Sequence, residues 1–123
     1  MVETTQRFIR EIADRVGLDN VTEVHLFPPM RQGGVETGVA VVAAIVPDDE
    51  TIQKHTVFSA HYRHTLKGPD RGKWEVDVRA EADAPLATVD DVVRGVMKRA
   101  GEQFEPERLT AGEVRTVITA DAV

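Results

Sequence analysis

From Lys73 to Asp83 the chain alternates without a break. Trp74, Val76, Val78, Ala80 and Ala82 have one parity; Lys73, Glu75, Asp77, Arg79, Glu81 and Asp83 have the other. Neighbouring side chains of a strand point to opposite sides of the sheet, so the first row is dry and the second wet. The segment therefore specifies an antiparallel sheet with one solvated face, and the rest of the chain must cover the other. Residues 56–67 form the partner strand, joined through Gly68-Pro69-Asp70-Arg71-Gly72, a run of turn-forming residue types. Pairing the two strands about Asp70 puts Phe58, Ala60, Tyr62, His64 and Leu66 on the dry side. Ser59, His61, Arg63 and Thr65 then face water, with Arg63 opposite Asp77.

The remaining elements follow from periodicity and from their stop signals. Phe8, Ile9, Ile12, Ala13 and Val16 share one face of a helix over residues 5–16 that Gly17 ends. Residues 21–27 read as a strand closed by Pro28-Pro29, because proline cannot donate to a ladder. Met30 to Gly34 is a loop that reverses the chain, and residues 38–46 are the most apolar strand. Pro47-Asp48-Asp49-Glu50 is an acidic turn. Thr88 and Asp91 have the spacing of a capping box, opening a helix to Ala100 with Val89, Val92, Val93, Val96 and Met97 as its dry stripe. Residues 103–110 are irregular around Pro106, and the alternation of Val114, Thr116, Ile118 and Ala120 predicts a last strand over 113–120. The expected fold is α+β: an antiparallel sheet of four to five strands with two helices packed on one face, in the order α-β-β-β-β-α-β, as one domain over residues 1–123.

Such a fold leaves strand 38–46 with a covering problem. It is apolar on both faces, as strands buried on both sides are. Two helices on one face leave the other bare, and large bare apolar patches are uncommon on monomers. Either the segment from Phe104 onward covers it, or a second copy does. The expectation is a homodimer meeting near Val39, Val41, Ala43 and Ile45.

Bulk properties narrow the function classes. The chain has 123 residues, enough to bury a core unaided. It has no cysteine, which excludes disulfides and thiolate metal sites and suits a reducing, cytoplasmic setting. A net charge of −6 disfavours nucleic acid as a partner. The N-terminal residues carry charge rather than the apolar stretch of a signal peptide. The apolar run 39–46 is too short for a membrane helix, so no membrane association is expected.

The chemistry-bearing residues give no convergent site. His55, His61 and His64 cluster in sequence, but His55 and His61 lie about 20 Å apart along a strand and His64 points the other way, so no metal is expected. Ser59, His61 and Asp77 share the wet face and have the types of nucleophile, base and orienter. No nucleophile elbow accompanies them, and an open sheet face offers no evident oxyanion hole. The candidate ligand-binding set is His25, Tyr62, His64 and Trp74, a pocket between sheet and helices. The expectation is a non-catalytic interaction or assembly subunit without cofactor, self-associating through an apolar sheet surface. The alternative is a small-molecule binding protein or enzyme using that pocket.

Overall fold

The computed structural model describes residues 3–47, 53–81, 88–99 and 105–119. Helix α1 (Glu3–Val16) and a single 3₁₀ turn (Leu18–Asn20) lead into β1 (Val21–Leu26), β2 (Met30–Gln32), β3 (Val35–Pro47), β4 (Gln53–Thr65) and β5 (Trp74–Ala80). Helix α2 (Thr88–Arg99), β6 (Glu107–Thr110) and α3 (Ala111–Thr119) complete the described chain. The strands form one antiparallel sheet in the order β5-β4-β3-β1-β6, with β2 paired to β3. The fold is thus α+β, with six strands where four to five were expected.

The central pair, β3 and β4, runs in register from Val35 opposite Thr65 to Pro47 opposite Gln53. Their even-numbered residues look to one side, where Ala40, Val42, Ala44, Ala60 and Tyr62 pack under Phe8, Ile9, Ile12 and Val16 of α1. Trp74, Val76 and Val78 of β5 join that core half-buried, while Glu75 and Asp77 are exposed. The inferred parity of the hairpin is therefore the observed one. In β1 the register shifts between Val21 and Glu23. This bulge lets Val21 and Val24 reach the same core although they are an odd number of residues apart.

Four details differ from expectation. First, the helices do not share a face. α2 lies on the odd-numbered side, where Val89, Val93 and Val96 pack on Val41, Ala43 and Val57. A strand apolar on both faces needs a cover on each, and α2 is the second cover. Second, the predicted last strand is helix α3. Val114, Val117 and Ile118 have helical spacing and meet the α1 core. The Thr110 N–H donates to Glu113 Oε1 and the Glu113 N–H to Thr110 Oγ1, each at 3.2 Å, a capping box that commits the segment to a helix. Third, part of the stretch read as irregular is β6, with Leu109 opposite Val24 and buried. The same holds for Met30–Gln32, which is a short strand turned back at Gly33-Gly34. Fourth, the hairpin is centred near Pro69. Thr65 bonds both Gly72 and Lys73 (2.8 and 2.9 Å), and moving the centre by one residue shifts every partner by two. His61 then faces Asp77, and Arg63 faces Glu75 rather than Asp77. A shift of two preserves the face of every side chain. The acidic turn 48–50, the strand end at 82–83 and the helix end at 100–101 lie outside the described residues.

Candidate functional site

The expected pocket separates into two clusters on opposite faces. Tyr62, His64 and Trp74 do converge, on the α1 side. The Tyr62 and Trp74 rings stack at 4.9 Å, His64 meets Trp74 edge-on at 5.7 Å, and Phe8 meets Tyr62 edge-on at 4.7 Å. The Arg7 guanidinium caps the Trp74 ring at 4.4 Å, a cation–π contact. These groups pack between helix and sheet; of Tyr62, His64 and Trp74, Tyr62 alone also borders the depression of about 410 Å³ described below, and neither His64 nor Trp74 lines it. His64 Nδ1 and Trp74 Nε1 are buried there without a hydrogen-bond partner.

Under this cluster lies a residue that the candidate set missed. Glu36 is only 4% exposed, and its carboxylate accepts the Tyr62 hydroxyl at 2.8 Å and Arg31 Nε at 3.2 Å. The Tyr62 ring reaches it by lying across Gly38, where a Cβ would collide with the ring. Burial, and then the neighbouring Glu36 carboxylate, push the Tyr62 phenol well above its ordinary value of 10.0. A phenol so held stays protonated and positions Glu36; it does not exchange protons near neutral pH. The parity of strand 38–46 carries a signal for this: an even-numbered glutamate just before the strand continues the dry row.

His25 sits on the other face, paired with Val41 and buried. Its Nε2 lies 3.4 Å from Glu23 Oε1, and Arg108 Nε lies 2.6 Å from Glu23 Oε2. Burial raises the Glu23 carboxyl, but Arg108 and His25 outweigh it and hold the group below its ordinary range. This is a charge-paired contact between β1 and the edge strand β6 rather than an extension of the Tyr62 cluster.

The four expected interface residues also divide. Val41 and Ala43 are 0% exposed beneath α2, while Val39 and Ile45 are half-buried. The dimer inferred from this row loses its motive, because α2 already covers it.

What remains open is the odd-numbered face beyond the end of α2. A depression of about 410 Å³ is lined by Thr37, Gly38, Val39, His61, Arg63, Glu75 and Asp77, and also by Val76 and by Tyr62 of the expected ligand-binding set. A smaller one, bordered by Phe27, Met30 and Val96, shares Thr37, Gly38 and Val39 with it, so the two form one trough along β3. Its outer end at Met30 carries a large apolar side chain left 54% exposed. A further depression adjoins at Ser59, His61, Asp77 and Arg79. It holds the residue types of a hydrolytic triad without the connections. Ser59 is buried, Asp77 Oδ2 is engaged by Arg79 Nε at 2.6 Å, and no hydrogen bond among the described residues links Ser59, His61 and Asp77. Among the described residues no cluster of His, Asp or Glu has the geometry of a metal site, and no helix is long and apolar enough to cross a membrane. A scan against protein-family models matches no family, and comparison with curated proteins and with solved structures finds no match, so the functional reading rests on this geometry alone.

Proposed function

We propose that the protein is a non-catalytic interaction domain whose contact surface is the trough beside α2. The observation that carries this reading is the half-covered sheet face. α2 buries Val41, Ala43 and Val57, and beyond it an apolar floor at Val39 continues into a rim of His61, Arg63, Glu75 and Asp77. An apolar floor with a charged rim is the anatomy of a protein contact site. The close packing of His64 and Trp74 supports the same reading, since a binder of small molecules built on those two residues needs open space there. A cytoplasmic location belongs to the proposal, on the ground that a chain without cysteine draws nothing from an oxidising compartment.

A second reading is small-molecule binding in the trough, favoured by its volume of about 410 Å³, which falls in the range of ligand pockets. A photo-crosslinking residue at Thr37 separates the two in cells. Interaction predicts a discrete protein adduct that Val39→Asp abolishes without unfolding the domain. If the only adduct is a small-molecule mass, the second reading stands; if none forms at Thr37 or Met30, the trough is not a contact site.

A further inference from the structure

Strand β5 forms one edge of the sheet, with β4 on its inner side and no strand on its outer side among the described residues. The Glu81 N–H donates to Val57 O at 2.7 Å, and Lys73 O accepts the Thr65 N–H at 2.9 Å. Odd-numbered residues of β5 thus turn their peptide groups toward β4. In an antiparallel ladder the alternate residues turn theirs the other way. The N–H and C=O groups of Trp74, Val76, Val78 and Ala80 therefore point outward from the sheet.

We propose that this edge pairs antiparallel with β5 of a second copy, about a two-fold axis at Asp77. The charges select that register. The wet row of the edge reads Lys73, Glu75, Asp77, Arg79 and Glu81, all exposed. With the axis at Asp77, Lys73 meets the partner's Glu81 and Glu75 meets the partner's Arg79, each twice by symmetry. Centring on Val76 sets Lys73 against Arg79 and Glu75 against Asp77, like charges in both strand pairs, and leaves Glu81 opposite Arg71 in the turn. Centring on Val78 gains Asp77 against Arg79 but sets Glu75 against Glu81. Like charges directly opposite each other destabilise a strand pair. Edge charges normally block pairing; this set blocks the neighbouring registers and admits one.

The same register sets the outward-facing peptides in hydrogen-bonding pairs, Trp74 with Ala80 and Val76 with Val78. On the α1 side the half-buried row of Trp74, Val76 and Val78 would continue into its copy. The one unfavourable contact is Asp77 against itself, and each Asp77 already holds Arg79 Nε of its own chain at 2.6 Å. The pairing is made by the strand edge, although Glu75 and Asp77 also stand on the rim of the trough; Arg79 lies outside that rim, so Arg79→Glu separates a failure of this pairing from a failure of the trough reading.

Sedimentation equilibrium of the full chain tests it. The unmodified protein should dimerise, with a dissociation constant that rises with salt. Glu75→Lys and Arg79→Glu each set like charges across the axis and should weaken self-association about tenfold. Mixing the two variants in equal amounts should restore the dimer, because the introduced lysine then faces the introduced glutamate. Asp77→Asn should tighten the unmodified dimer. A protein that stays monomeric at the highest soluble concentration overturns the proposal. So does a dimer indifferent to all three substitutions, which would place the contact on another surface. Circular dichroism of each variant alone checks that the single changes leave the fold intact.

Discussion

Tyr62 ties several groups of the α1 face together. It stacks on Trp74, meets Phe8 edge-on, lies across Gly38 and holds the buried carboxylate of Glu36. A β-carbon at position 38 enters the space of its ring. Gly38→Ala should therefore destabilise the fold by about 1–3 kcal/mol, the usual cost of forcing an extra group into a packed site. Chemical denaturation checks this, and the loss should shrink in a Tyr62→Ala background where the ring is gone. Tyr62 is the only tyrosine in the chain, so tyrosinate absorbance reports it alone. Its folded value is raised above 10.0, first by burial and then by Glu36. A raised acid favours the folded state below the unfolded value, and that contribution is lost as pH rises beyond it. The expected titration shows no tyrosinate near pH 10.0 in the folded protein and a rise that coincides with alkaline unfolding. A reversible titration near 10.0 with the fold intact would contradict the Glu36 contact.

At the scale of elements, α3 shows how a short segment resolves an ambiguous pattern. Nine residues, Ala111–Thr119, carry both an alternating and a helical reading. The reciprocal bonds between Thr110 and Glu113 decide for the helix by satisfying donors that would otherwise be orphaned at its first turn. Thr110→Ala should cost about 1 kcal/mol, read as a lower thermal midpoint. If it costs nothing, the cap does not hold α3. The box is legible in the residues, since threonine followed three positions later by glutamate announces a helix start. The alternation of Val114, Thr116, Ile118 and Ala120 competes with the box, and the box prevails. α1 and the β4–β5 hairpin were legible for the opposite reason: each is long enough for only one period to fit. The hairpin register was not, because moving the turn centre by one residue shifts every partner by two and leaves the alternation unchanged.

For the whole molecule, the decisive arrangement is a sheet covered by α1 and α3 on one face, with the β5 row left half-buried, and partly by α2 on the other. Val93 sits in the α2 stripe over Val41, Ala43 and Val57. Val93→Asp should lift that cover and expose a double-sided apolar strand, giving strong binding of a hydrophobic dye and concentration-dependent aggregation. An unchanged dye response would mean α2 is not the cover.

Alternation along single strands determined which side chains face inward from Phe58 to Ala80, because a period of two leaves each residue only two directions. It also placed Tyr62, His64 and Trp74 together and required a cover for each face of strand 38–46. Which cover came to which face depended on tertiary structure. The apolar stripe of a helix states that it must be buried and carries no record of the surface that will bury it. For that reason the helix expected beside α1 lies across the sheet from it, the expected pocket residues divide between the two faces, and the open surface is the trough that α2 stops short of filling.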